Sequence, residues 1–181
     1  MRRPAYPLEH SVIESSTFTG VVMPRHAATV CFPSPLGLVE VECADAGVTR
    51  VRLGARGRPR EVGDGEALEH ARTTRMEILA YLDGRLRQFT VPVVLGGTPF
   101  QREVWAKLQA VGYGKTRTYG EIAAELGKPR AARAVGTACG ANPVPILVPC
   151  HRIVAGNGSG GGFAGGIRMK NQLLDLEQGR A

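Results

Sequence analysis

At 181 residues the chain can form one compact unit or two small lobes sharing a core, and it is too short for multidomain machinery. With 43% hydrophobic and 22% charged residues it has the makeup of a globular protein, which excludes wholesale disorder. The net charge of +7, from 23 Lys+Arg against 16 Asp+Glu, favours polyanions through phosphate contacts and counterion release, although charge alone identifies no partner.

Residues 1–28 are rich in Ser, Thr, Pro and His without a sustained period, and read as a loosely packed N-terminal extension. Met1-Arg2-Arg3 is basic, but Pro4, Pro7, Glu9 and His10 follow where a secretory signal needs an unbroken apolar run, so a cytoplasmic location is expected. The stretches 29–32, 38–43 and 48–53 are β-branched or alternating and predict an antiparallel meander. A polar Gly/Arg/Pro loop is expected over 55–65. Leu68, Ala71, Ile78 and Leu82 then mark an amphipathic helix closed at Gly84. A short strand at 89–95 is predicted to lead into Gly96-Gly97, the expected boundary between an α+β lobe and a helical lobe. The longest apolar runs, 91–95 and 143–149, fall far short of the roughly 20 residues a membrane helix needs, so no membrane partner is expected.

Beyond the boundary, Phe100, Val104, Leu108 and Val111 form one helical stripe ending at Gly112-Tyr113-Gly114. Thr118 and Glu121 have the spacing of a capping box, opening a helix that turns Ile122, Ala123 and Leu126 inward and stops at Gly127. Pro129 is expected in the first turn of the next helix, with Arg130 to Gly140 following. The pair reads as a helix-turn-helix whose second helix carries little beyond Ala, Gly, Val135 and two arginines. Tight core packing accounts for Ala131, Ala132 and Gly136. Arg133 projecting from the same thin face fits the floor of a DNA groove better.

The run Asn142-Pro-Val-Pro-Ile-Leu-Val-Pro-Cys150-His151-Arg152 is a rigid apolar segment that holds Cys150 in one place. A free thiol is only about 3% thiolate at neutral pH, and His151 and Arg152 both stand near enough in the chain to assist it. Adjacent residues of an extended strand face opposite ways, so His151 is expected to act through a bridging water. The alternative from spacing alone is a buried structural cysteine beside a satisfied histidine. The four cysteines, Cys31, Cys43, Cys139 and Cys150, form no CxxC pair and are expected as free thiols. A zinc site built from Cys139, Cys150, His151 and His70 or His26 lacks close ligand pairs, so no metal is predicted. The last helix, expected from Lys170 to Gln178, buries Leu173, Leu174 and Leu176. It brings Glu177 to the border of its apolar face, where the carboxylate orients His151 or simply ends a solvated helix.

These motifs, in their order, resemble the O6-alkylguanine-DNA alkyltransferases, also called methylated-DNA–protein-cysteine methyltransferases. The resemblance covers roughly 29–178 and rests on Thr118-Tyr119-Gly120, Ala131-Ala-Arg-Ala-Val-Gly136, Asn142-Pro-Val-Pro, Pro149-Cys150-His151-Arg152, Gly165-Gly166 and Leu173-Leu-x-x-Glu177. It implies an α+β fold, with a small antiparallel-sheet, ribonuclease-H-like lobe over 29–96 and a helical DNA-binding and alkyl-acceptor domain over 97–181. It further implies that Cys150 is the alkyl acceptor, His151 its base through water, and Glu177 the carboxylate orienting His151. Tyr119 would protonate the departing guanine and press on a phosphate, and Arg133 would fill the space of the flipped nucleotide. Lys128 and Ala131 would join them against double-stranded DNA, bound from the minor groove. Asn142, Val148, Phe163 and Ala164 would line the base site, although Phe163 and Ala164 stand where some relatives have Tyr and Ser.

The implied activity is irreversible transfer from O6-alkylguanine, and from O4-alkylthymine, in a single turnover without a cofactor, by a monomer whose cooperativity on DNA is left open. Some relatives hold zinc in the N-terminal lobe, but Ala44 and Thr49 stand where ligands would be expected. Two rival readings fit the same residues. An alkyltransferase-like sensor binds the lesion without repair, but carries Trp at the nucleophile position. A cysteine hydrolase using Cys150 and His151 would turn over repeatedly.

Overall fold

A computed structural model describes residues 28–156 and 163–180. Most of the N-terminal extension and of the glycine-rich stretch 156–162 therefore lies outside the described residues. The first three strands, β1 (Ala28–Ser34), β2 (Gly37–Ala44) and β3 (Gly47–Leu53), form an antiparallel meander. Alternation sends Val30, Phe32, Val39 and Val41 into the core. It sends Glu40 and Glu42 to the opposite face, where Arg52 pairs with both and Arg60 with Glu40.

The loop expected over 55–65 differs from the structure. It contains a fourth strand, β4 (Arg60–Val62), paired antiparallel with β1, giving the sheet order β3-β2-β1-β4. Three exposed residues carry no alternation signal, and backbone pairing with β1 alone makes them a strand. The strand expected at 89–95 is reduced to one parallel bridge between Val48 and Val93. Val48 N–H donates to the Pro92 carbonyl and Val94 N–H to the Val48 carbonyl, but Pro92 has no N–H to extend the ladder. Gly47, at φ +130°, permits this approach, since a Cβ there would sit 2.4 Å from the Pro92 oxygen.

Helix α1 (Gly65–Leu82) covers the core face of the sheet with Ala67, Ala71, Thr74, Ile78 and Tyr81. Helix α2 (Pro99–Gln109) opens with a capping box between Thr98 and Gln101 and buries Val104, Trp105 and Leu108. The next capping box, Thr118 with Glu121, opens α3 (Tyr119–Glu125). The second helix of the pair, α4 (Ala132–Gly140), starts later than expected. Pro129 instead occupies a tight turn in which Ala131 N–H donates to the Lys128 carbonyl, a place its fixed φ suits as well as a helix start. The Trp105 indole N–H donates to the Ala138 carbonyl at 2.9 Å and locks α2 to α4. Helix α5 (Gly166–Glu177) begins four residues before the expected Lys170 and buries Lys170, Leu173 and Glu177. Leu174 and Leu176 are half-buried.

One contiguous cluster of buried side chains runs from the sheet through α1 and α2 to α4 and α5. No helix among the described residues is long and apolar enough to cross a membrane.

Candidate active site

The segment around Cys150 is held by Asn142. Its Nδ2 donates to the Val148 carbonyl at 2.8 Å and to Cys150 Sγ at 3.2 Å, while its Oδ1 accepts from Val144 N–H at 3.0 Å. Between these anchors Ile146 adopts φ +76°, a left-handed conformation that a β-branched residue keeps only under tight constraint. Pro149 then forms an inverse γ-turn, with φ −81° and ψ 63°, in which Cys150 N–H donates to the Val148 carbonyl at 2.8 Å.

The extended strand expected here is instead a 3-10 turn over Cys150–Arg152, followed by β6 (Ile153–Val154). This strand pairs in parallel with β5 (Arg117–Thr118) and so ties the cysteine segment to the start of α3. In the turn, Cys150 Sγ meets Asn142 while His151 enters the core with no exposed surface.

Glu177, carried in by the last turn of α5, is the hub of the buried polar cluster. Its Oε1 accepts from His151 Nε2 at 2.9 Å, from the Tyr81 hydroxyl at 2.6 Å and from Arg152 Nη2 at 2.8 Å. Its Oε2 accepts from Gly114 N–H at 2.9 Å and from Arg152 Nε at 3.1 Å. Burial pushes this carboxyl up, but donation from His151 and Arg152 outweighs it and holds the group down at about 2. Glu177 is therefore an anion at neutral pH.

That charge fixes the histidine tautomer. A carboxylate only accepts, so Nε2 carries the proton, and Nδ1 is bare, with no hydrogen-bond partner among the described residues. Burial lowers the His151 pKa in spite of the bond to Glu177, so the ring is neutral at rest.

Arg152 does not serve the thiol. Its guanidinium is spent on Glu177 and the Val111 carbonyl. The basic group on this side is Lys170, fully buried, with Nζ donating to the Ile153 carbonyl and lying 5.8 Å from the Tyr119 ring centre, and burial lowers its own pKa. Burial pushes the Cys150 thiol up, and the Asn142 hydrogen bond and the Lys170 charge oppose it. Sequence reasoning missed Tyr81, Gly114 and Lys170. The pattern held a signal for two of them: Tyr81 ends the apolar stripe of α1, and Lys170 lies three and seven residues before Leu173 and Glu177 on one face of α5.

An open pocket of about 560 Å³ lies beside this cluster, lined by Tyr119, Arg133, Gly136, Ala155 and neighbours from α3 and α4. Arg133 is exposed at its edge, and the Tyr119 ring packs over Gly136, 3.8 Å from where a Cβ would stand, an ordinary contact distance. Burial pushes the Tyr119 hydroxyl up to about 12, so it holds its proton at neutral pH. Phe163 stands edge-on to His151 at 6.4 Å, and Ala164 is exposed next to it. Val148 is fully buried and offers its carbonyl alone to the site. Lys128 is ion-paired with Glu103 at 2.9 Å and sits over Phe100, while Ala131 is half-buried after the Pro129 turn. These two lie apart from the cysteine cluster.

Residues 99–179 match the family model described as 6-O-methylguanine DNA methyltransferase, DNA binding domain. The methylated-DNA–protein-cysteine methyltransferase of Methanosarcina acetivorans is 41% identical over 148 residues, covering 81% of this chain and 95% of that protein. The inducible enzyme of that name from Bacillus subtilis is 53% identical over 103 residues, 57% of this chain and 58% of the relative. Among solved structures, Mycobacterium tuberculosis OGT in complex with DNA superposes with a TM-score of 0.75 at 40% identity, covering 84% of this chain and 94% of that one.

Proposed function

Because this chain belongs to the methylated-DNA–protein-cysteine methyltransferase family, we propose that it repairs O6-alkylguanine in double-stranded DNA by moving the alkyl group onto Cys150. One observation carries the assignment of roles: a neutral, buried His151, fixed by an ionised Glu177, with its bare Nδ1 as the remaining proton acceptor.

In this mechanism the Cys150 proton passes to Nδ1 through a bridging water, and Glu177 stabilises the resulting imidazolium. The thiolate attacks the alkyl carbon, a carbon–sulfur bond forms, and the carbon–O6 bond breaks with its electron pair leaving on the guanine. Tyr119, protonated at neutral pH, donates to that guanine and is reprotonated from solvent as the His151 imidazolium releases its proton, so the net change is one proton lost by the thiol and one gained by the base. Cys150 is buried, with 3% of its surface exposed, and a stacked base cannot reach its sulfur, so the nucleotide must leave the helix. Arg133 enters the vacated stack from the thin face of α4, with Ala131 and Lys128 along the same strand and the minor groove facing them. Asn142, Val148, Phe163 and Ala164 bound the base site.

Residues 29–96 form the supporting lobe in this reading, and 97–181 form the DNA-binding and alkyl-accepting one. The described cysteines, Cys31, Cys43, Cys139 and Cys150, are all unpaired, which suits a reducing cytoplasm where the nucleophile stays a thiol. A lesion-binding sensor has no use for an ionisable thiol beside a prepared base, so repair is the better reading.

A thioether has no easy route back to thiol, so product should stop at one equivalent per protein when an O6-methylguanine duplex is in excess. Continued turnover would point to a hydrolase. Tight binding with no product would point to the sensor.

A further inference from the structure

Tyr81 occupies a core position on α1 that a phenylalanine would fill equally well by shape. A hydroxyl buried there without a partner would cost about 1–3 kcal/mol. Its hydroxyl instead reaches across the molecule to Glu177 Oε1 at 2.6 Å, 96 residues further on, and lies 3.2 Å from His151 Nε2. The ring has little freedom to turn away, being packed against Phe89 at 5.4 Å and edge-on to Tyr113 at 6.0 Å.

We propose that Tyr81 is a positioning residue for alkyl transfer, through which α1 of the sheet lobe fixes Glu177 and thereby the ring orientation of His151. The inference rests on the Cys150 reading given above.

The hydrogen-bond pattern allows one arrangement. Tyr81 has a single proton, and Glu177 cannot donate, so the hydroxyl donates to Oε1 and turns its lone pairs toward Nε2. The Nε2 proton then has two acceptors, the carboxylate and the tyrosine oxygen. Arg152 donates to Glu177 and accepts nothing. Without the Tyr81 hydroxyl, Oε1 loses its shortest donor and Nε2–H loses its second acceptor. The imidazole is then freer to turn about its ring axis and withdraw Nδ1 from the thiol.

The test is Tyr81→Phe in single-turnover methyl transfer from an O6-methylguanine duplex, with the rate constant at saturation and the half-saturating concentration measured separately. The expected result is a fall of about tenfold in the rate constant, the size of one charge-assisted hydrogen bond in the transition state, with half-saturation unchanged. Tyr113→Phe removes a neighbouring hydroxyl without touching Glu177 and should stay within about twofold of the wild type. In a His151→Gln background, Tyr81→Phe should add less than about twofold, because the group it positions is gone. A wild-type rate for Tyr81→Phe, an equal loss in the His151→Gln background, or a loss confined to half-saturation would overturn the proposal. Iodoacetamide labelling of Cys150 repeats the comparison without DNA. A wild-type protein that labels but accepts no methyl would count against the repair reading alone.

Discussion

Replacing Glu177 by Gln keeps the side-chain volume and removes the charge, at a point where Arg152 has no other acid to pair with in the cluster. The two side chains are 0% and 8% exposed, and breaking a buried pair of this kind costs about 3–5 kcal/mol. The titration of the carboxyl leads to a similar figure. Lowering it from 4.5 to about 2 corresponds to about 3 kcal/mol, since each tenfold in an equilibrium is about 1.4 kcal/mol.

The folded-state value is depressed, so the stabilisation is fully present above the unfolded value of 4.5 and disappears as the pH falls toward about 2. Urea unfolding at neutral pH should find Glu177→Gln about 3 kcal/mol less stable than the wild type, and the gap should narrow as both are acidified. A variant within about 1 kcal/mol at neutral pH, or a gap that does not change on acidification, would refute a buried Glu177 anion.

Arg133→Ala should slow repair of lesion-bearing duplex by more than tenfold while leaving reaction with free O6-benzylguanine within about twofold, as measured by single-turnover kinetics on both substrates. Asn142→Ala removes the donor to Cys150 Sγ, which favours the charged form, so the pH of half-maximal thiol labelling should move up. Trp105→Phe leaves the Ala138 carbonyl without its indole donor in a buried site and should lower stability by about 1–3 kcal/mol in urea unfolding, with alkyl transfer retained.

How much of this was legible beforehand depended on whether the signal was local. The capping box at Thr118 and Glu121 is complete within four residues, and it appears in the structure with both of its hydrogen bonds. The meander was legible because β1, β2 and β3 alternate. The β4 strand was not, because Arg60, Glu61 and Val62 are all exposed, and pairing alone assigns them.

In the site, the Cys150 segment announced itself through its prolines. Its local shape did not follow from them, because the inverse γ-turn at Pro149 replaced an extended path with a turn. Arg152 looked like a partner of the thiol by adjacency, and tertiary contact with Glu177 took it away. Tyr81 and Glu177 are too far apart in the chain for any periodicity to join them. Only a demand that a buried hydroxyl find an acceptor would have raised the question.

The most direct measurement is the intact mass of the purified protein after incubation with an O6-methylguanine duplex, followed by mapping of the peptide that spans the Pro-Cys-His-Arg box. The prediction is a gain of one methyl group per chain, carried by the sulfur of Cys150. A methyl found on another residue, or an unmodified Cys150 in a protein that has consumed the lesion, would contradict it.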